Sequence, residues 1–162
     1  MKDHRFDDDL YEVPGHLIRR LQQAAVSIFM AETADVGYDL TPVQFGALTM
    51  TKTHPGVDQV TLAGLIAYDK TTIGQVVSRL LDKRLIARHT NKHDRRSKQL
   101  FITEDGNSAL AQMLPRVQRV QTQILAGLNA DEEEQFMVLL KKVTDSVNER
   151  SRAPLRRWKS DV

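Results

Sequence analysis

The chain has 162 residues and a formal net charge of +2, with 41% hydrophobic, 27% charged and 6% aromatic residues, a composition typical of a helical globular protein with one or two modest cores. Cysteine is absent, which excludes disulfides, thiolate metal ligands and a thiol redox switch. The acidic start is unlike a signal peptide and no run approaches the roughly 20 apolar residues that span a bilayer, so we expect a cytoplasmic protein without membrane segments.

The first predicted helix begins after Pro14-Gly15. Apolar residues recur at helical spacing from His16 onward, and this periodicity ends near Asp35. Gly37 readily adopts the left-handed conformation that commonly closes a helix. We therefore expect one amphipathic helix here, preceded by an extended or frayed segment.

The second helix begins with a clear capping signal. Thr41 is a good N-cap residue, Pro42 suits the first helical turn, and Gln44 stands where it completes a capping box. Further along, Pro55 and Gly56 interrupt the helical pattern. This helix should therefore end before them.

A helix-turn-helix is predicted next. Thr61 is expected to cap a short helix, and Tyr68-Asp69 to form the turn. The following helix, from about Thr71 to Arg84, has one apolar stripe, formed by Ile73, Val76, Val77, Leu80 and Leu81. Its other face presents the first candidate DNA-binding residues, which are Lys70, Thr71, Thr72, Gln75, Ser78 and Arg79. In the major groove, glutamine pairs with adenine, arginine with guanine, and a threonine methyl packs against that of thymine.

A basic β-hairpin, or wing, is predicted from two β-prone stretches, Leu85–Thr90 and Gln99–Thr103. It adds Arg95, Arg96 and Lys98 to the candidate DNA contacts, with an arginine at the tip suited to the minor groove. Residues 70–98 hold nine Lys or Arg against two acids, whereas the remaining residues are more acidic than basic. Such concentrated charge favours binding to duplex DNA. A solvated charged surface is the alternative, and for Lys83, Arg84 and Arg88 solubility explains the charge equally well.

Two further helices are expected at the C-terminal end. Thr103 should cap the first, whose apolar stripe extends it to about Leu128. This helix contains Pro115, and an interior proline predicts a kink near residues 111–115. Asn129 and Glu132 form a second capping box at the start of the last helix. These terminal helices carry more apolar residues than one protomer can bury, which favours a dimer.

The order of these elements resembles the MarR (multiple antibiotic resistance regulator) family of winged-helix transcription factors. The segments that carry the resemblance are LTPVQFGAL (40–48), TLAGLIAYDKTTIGQVVSRLLDKRLIAR (61–88), HDRRSKQLFIT (93–103) and the flanking helices, together residues 10–150. LYEVPGHLIRRLQQ and LIAYDKTTIG look more like members tied to aromatic or nicotinate catabolism. The implied fold class is mainly α with a small β-wing (α+β). Its parts are a helical dimerisation domain (10–36 and 104–150), a winged helix-turn-helix domain (40–103) and flexible termini (1–9 and 151–162).

The resemblance implies a homodimer that binds a palindromic double-stranded DNA operator and represses nearby genes. It also implies release by a small aromatic acid bound between the two domains, and it favours Arg96 as the minor-groove residue. Candidate ligand contacts are His16 and Arg20, which share a helix face, and the apolar or aromatic Tyr38, Phe45, Leu48 and Tyr68. Arg20 suits a carboxylate. The alternative is that His16 and Arg20 are surface residues and that Tyr68 only packs.

Other functions have weaker support. No phosphate-binding glycine loop or nucleophile motif is present, so we expect neither an enzyme nor catalytic residues, and no cofactor. His89 and His93 are four residues apart but lack a nearby carboxylate pair, which disfavours a zinc site. The main alternative is a constitutive or architectural DNA-binding regulator without a small-molecule effector.

Overall fold

Six α-helices and a three-stranded antiparallel sheet form the part of the chain that the computed structural model describes, residues 10–90 and 98–158. The helices are α1 (Pro14–Thr33), α2 (Pro42–Thr53), α3 (Gln59–Leu65), α4 (Ile73–Asp82), α5 (Glu104–Ile124) and α6 (Ala130–Val147). The strands are β1 (Val57–Asp58), β2 (Ile86–Thr90) and β3 (Lys98–Ile102). This architecture confirms the predicted mainly α fold class with a small β-wing.

Local hydrogen bonds fix the helix starts where capping signals were predicted. The hydroxyl of Thr41 accepts from the Gln44 amide at 3.2 Å, and the Gln44 side chain accepts from the Thr41 amide at 3.1 Å. Asn129 and Glu132 make the same reciprocal pair at the start of α6. Thr103 caps α5 by accepting from an amide of its first turn. Each cap satisfies amides that the helix itself leaves unpaired.

The predicted cap of α3 was wrong. Asp58, not Thr61, is the N-cap, and its carboxylate accepts from the amides of Val60 and Thr61 at 2.9 and 3.0 Å. The Thr61 hydroxyl also donates to this carboxylate at 2.6 Å. Burial alone would raise the pKa of Asp58, but hydrogen bonds from Thr61 and Val60 outweigh it and hold the pKa below its usual value.

The sheet has the strand order β1-β3-β2. The predicted wing strands are present, and they pair in a register that places Ile86 opposite Ile102 and Thr90 opposite Lys98. The two-residue strand β1 was not predicted, and it adds Val57 to the sheet opposite Leu100. Val57 is fully buried, so this short pairing closes the core beneath α2 and α3.

The helix-turn-helix and sheet enclose one apolar core. Its largest fully buried side chains are Leu40, Leu48, Val57, Leu62, Ile73, Val77, Leu80 and Leu100. Helix α1 packs along α5, where the buried Phe29, Met113 and Val120 continue the same core. Glu32 ties the same two helices by hydrogen bonds from Gln123 and Arg119, and these bonds lower the pKa of its carboxyl group.

A close backbone contact joins the start of α5 to the end of the helix-turn-helix. The Thr103 hydroxyl donates to the Arg84 carbonyl at 2.7 Å, and the Thr103 amide donates to the Leu85 carbonyl at 3.1 Å. Arg84 has a φ of 58°, a conformation that an arginine rarely adopts. At Gly106, an added Cβ would lie 2.1 Å from the Leu85 oxygen, so only glycine fits here.

The C-terminal helices differ from the predictions in two respects. Helix α5 continues through Pro115 and ends at Ile124, although the apolar stripe suggested an end near Leu128. Residues 151–158 were expected to be loosely ordered, yet they make specific contacts with the helix-turn-helix. Residues 1–9 and 159–162, the other predicted loose segments, lie outside the described residues.

Candidate nucleic-acid interface

The turn before α4 is ordered by a single carboxylate. Asp69 accepts from the Thr71 amide at 2.7 Å and from the Thr71 hydroxyl, and the Thr72 hydroxyl donates to the Asp69 carbonyl. The Thr71 hydroxyl, the Thr71 amide and Arg152 lower the pKa of Asp69 to about 2. The hydroxyl of Thr71 is therefore occupied in positioning α4, although the residue as a whole remains exposed.

Helix α4 separates a buried face from an exposed one. Ile73, Val76, Val77 and Leu80 are buried, as the periodicity predicted, whereas Leu81 is half-buried. Lys70, Thr71, Gln75, Ser78 and Arg79 are exposed, and Thr72 is half-buried. The exposed residues form a polar and cationic surface along α4 and the turn before it, which is the arrangement required to read a major groove.

The wing is described only at its base. Lys98 donates from Nζ to the Thr90 hydroxyl across the hairpin at 2.8 Å. The predicted groove contacts Arg95 and Arg96 lie outside the described residues, as does His93. His89 packs its ring against Phe101 with a centroid distance of 5.2 Å. Within residues 10–90 and 98–158, no three His, Asp or Glu residues are grouped as a metal site would require.

The other cations of the basic segment have different environments. Lys83 donates from Nζ to the Tyr38 carbonyl at 2.9 Å and lies 3.8 Å from the Asp39 carboxylate. It therefore joins the end of α4 to the segment before α2, a role that sequence reasoning missed. Arg84 and Arg88 are exposed. The charge of residues 70–98 thus serves internal ties as well as an exposed surface.

A groove of about 400 Å³ separates α1 from α4. It is lined by Gln22, Val26, Thr41, Pro42, Val43, Gln44, Tyr68, Gln75, Val76 and Arg79. Of the six predicted ligand contacts, only Tyr68 lines it. Two predicted DNA-binding residues, Gln75 and Arg79, line it as well. The groove has an apolar floor, an aromatic ring and one cation, a combination suited to a small aromatic acid.

The remaining predicted ligand residues are not brought together around this groove. Leu48 is fully buried in the core, and Phe45 packs edge-on against Phe29. The hydroxyl of Tyr38 accepts from Gln112 at 2.9 Å. On α1, His16 makes an edge-on ring contact with Tyr11, and Arg20 is exposed with no ion pair to the residues that the structure describes. Arg20 and His16 precede the groove-lining Gln22 on the same helix.

Large apolar side chains are exposed on the terminal helices. No residue of α6 is buried, and Met137, Val138, Leu139, Val143 and Val147 are at least 39% exposed. Leu17, Ile18 and Leu21 are similarly exposed on α1. Apolar surface of this extent is characteristic of an interaction surface. None of the described helices is long and apolar enough to cross a membrane.

Known proteins resemble this chain in sequence and fold. The family model described as MarR family matches residues 38–97. The HTH-type transcriptional repressor NicR of Pseudomonas putida is 32% identical over 85% of this chain and 86% of its own length. The PcaV transcriptional regulator from Streptomyces coelicolor, solved in complex with its natural ligand, is 34% identical with a TM-score of 0.77, covering 86% of this chain and 96% of that one. BpsR of Bordetella bronchiseptica, whose DNA binding is regulated by 6-hydroxynicotinic acid, is 30% identical with a TM-score of 0.78, covering 85% and 96%.

Proposed function

Because the chain belongs to the MarR family, we propose that it is a homodimeric transcriptional repressor that leaves a palindromic operator when a small aromatic carboxylic acid binds. The relatives are transcriptional regulators, and two of them respond to or contain a small ligand. The observation that carries the proposal is that Gln75 and Arg79 belong both to the exposed side of α4 and to the groove beside α1. One pair of side chains thereby connects a ligand-sized space with the DNA-reading surface.

DNA recognition combines charge with base contacts. The cations of residues 70–98 displace counterions from phosphates and give salt-sensitive affinity for any duplex. Gln75, Ser78 and Arg79 supply donors and acceptors for base edges in the major groove, and a bidentate arginine contact discriminates a guanine by about 1–3 kcal/mol. Arg96 enters the minor groove as the predicted wing-tip contact.

Dimerisation follows from the exposed apolar faces of α1 and α6. A second copy of the chain would cover these faces and place a second α4 on the next half-site of a palindrome. Light scattering at micromolar concentration should give the mass of a dimer. A monomer would contradict this part of the proposal.

The effector competes with DNA for the Arg79 side chain of α4. The Arg79 guanidinium is the only cation lining the groove in the part of the chain that the structure describes. A carboxylate bound there would pair with Arg79 by charge-assisted hydrogen bonds and withdraw it from DNA. Arg20, the anchor predicted from the sequence, is the alternative partner of the carboxylate. Tyr68 would stack on the aromatic ring.

The experiment measures binding to DNA from upstream of the chain's own gene by fluorescence anisotropy, with benzoate, salicylate and nicotinate added in turn. An effector should weaken binding, and isothermal titration should then give its affinity for the wild type and for Arg79→Ala and Arg20→Ala. The matched control is Arg19→Ala, since Arg19 is engaged with Gln23 on the same helix. Loss of ligand binding in one variant identifies the anchor. If no acid changes DNA affinity, the chain is a constitutive regulator instead.

A further inference from the structure

The segment after α6 is folded back on the end of that helix. Asn148 accepts from the Leu155 amide at 2.8 Å with its side-chain oxygen, and its side-chain nitrogen donates to the Leu155 carbonyl at 3.3 Å. Glu149 pairs with Arg156 through both carboxylate oxygens, and this pairing lowers the pKa of Glu149. Residues 151–158 are therefore held as a defined loop.

This C-terminal segment docks on the helix-turn-helix. The Arg156 amide donates to the Gly64 carbonyl at 2.8 Å, and a Cβ added to Gly64 would lie 3.0 Å from the Arg156 Cβ. Arg152 pairs with Asp69, the residue that orders the turn before α4, at 2.7 Å. At the far end, the Trp158 ring contacts His54 with a centroid distance of 5.1 Å. The segment thus follows α3 from the start of α4 to the end of α2.

Docking places two cations beside the start of α4. Lys70 and Arg157 line one groove together with Val60, Thr61, Gly64, Arg156 and Trp158. Of the nearby acids, Asp69 is paired with Arg152 and Glu149 with Arg156, whereas Asp145 lines a neighbouring groove with Arg157 but forms no ion pair with it. Within the described residues, neither Lys70 nor Arg157 has an ion-pair partner. Two free cations at the edge of a DNA-reading helix are placed to meet a phosphate.

We infer that the C-terminal segment is part of the DNA-binding surface, with Arg157 contacting the phosphate backbone beside Lys70. The inference rests on the proposed DNA binding and adds an element outside the helix-turn-helix and wing. The contact carries no base specificity, so it strengthens binding to operator and non-operator duplexes alike.

The first test compares Arg157→Gln with Arg150→Gln. Both substitutions remove one charge from the same exposed region, but Arg150 does not line the groove with Lys70. Operator affinity is measured by anisotropy at several salt concentrations. In Arg157→Gln the slope of log affinity against log salt should become shallower by about 0.9 for each lost contact. When the salt is lowered from 1 M to 0.1 M, the variant should therefore gain roughly eightfold less affinity per lost contact than the wild type gains. The slope of Arg150→Gln should equal that of the wild type.

The outcomes separate this inference from the proposed function. If the wild type binds no duplex, the proposed function fails. If it binds and the two variants have equal slopes, only the role of Arg157 fails. If Arg157→Gln loses affinity for the operator but not for a scrambled duplex, the residue reads bases, and a phosphate contact is excluded.

The second test releases the whole segment. Gly64→Leu should displace Arg156, because a Cβ at this position already lies 3.0 Å from the Arg156 Cβ and the remaining atoms of leucine would extend further into the docked segment. Trp158 is the only tryptophan in the chain, so its emission should shift to the red on release. The slope of log affinity against log salt should become as shallow as in Arg157→Gln. Combining the Gly64 substitution with Arg157→Gln should make it no shallower, because both changes remove the same contact. An unshifted emission, or a shifted emission with a wild-type slope, would overturn the inference.

Discussion

Gly106→Ala should destabilise the fold. The new Cβ would lie 2.1 Å from the Leu85 oxygen, and since Cβ atoms essentially never approach other atoms below 3.0 Å, the two elements must separate by about 0.9 Å. Such overpacking typically costs about 1–3 kcal/mol. The hydrogen bond from the Thr103 amide to the same oxygen adds about 1 kcal/mol if it is lost. The higher helix propensity of alanine returns up to about 1 kcal/mol.

The net expectation for Gly106→Ala is therefore a loss of about 1–3 kcal/mol, measured by urea unfolding at fixed protein concentration. The melting temperature should fall by roughly 2–4 °C for each kcal/mol. Gly46→Ala is the matched control, because Gly46 also lies in a helix but its added Cβ meets nothing within 4 Å. It should be stabilising by about 0.4–1 kcal/mol. Equal stability of the two variants would refute the steric reasoning.

Three further outcomes are expected. Arg96→Ala should weaken operator binding by about 1–3 kcal/mol in anisotropy titrations, whereas Lys52→Ala, at the exposed end of α2, should change it little; equal small losses would contradict the wing prediction. Thr41→Ala should lower the free energy of unfolding by about 1 kcal/mol in urea, since the capping box of α2 is lost, and an unchanged value would show that the cap adds nothing. The pKa of Asp69 is lowered to about 2 from an ordinary value of 3.8, so the stability it contributes is complete above pH 4 and is lost as pH falls towards 2. Thermal melts of Asp69→Asn across this range should therefore depend less on pH than those of the wild type, and an identical acid dependence would argue against the linkage.

Features set by neighbours in the sequence could be predicted from it. The capping boxes of Thr41 and Asn129 each involve residues three positions apart, so the hydrogen-bonding pattern can be recognised from the residue types in the sequence. The buried stripe of α4 was found because helical periodicity alone determines which residues share a face. The cap of α3 was missed although it is local, because Asp58 and Thr61 are both good capping residues and the wrong one was chosen.

Features set by distant contacts could not be predicted. Strand β1 is only two residues long and exists because Val57 pairs with Leu100, more than 40 positions away. For Lys83 the sequence left solubility and DNA contact equally open, since nothing local signals that it reaches the Tyr38 carbonyl. The docking of Arg152 on Asp69 likewise spans 83 positions. Of the six candidate ligand residues only Tyr68 lines the groove, because a groove between helices depends on how those helices pack and not on neighbours in the sequence.

Pro115 is the position at which α5 bends most easily. Proline has no amide hydrogen, so one rung of the hydrogen-bond ladder is missing there, and bending costs less than elsewhere in the helix. Glu104 and Pro115 are eleven positions apart, a rise of roughly 16 Å along the helix, and an angular change of about 10° would displace the first turn of α5 by roughly 3 Å. Because the Thr103 hydroxyl is hydrogen-bonded to the Arg84 carbonyl at the end of the helix-turn-helix, the helix-turn-helix would move with that turn. In the proposed dimer, a slight bend at Pro115 would therefore change the spacing between the two copies of α4.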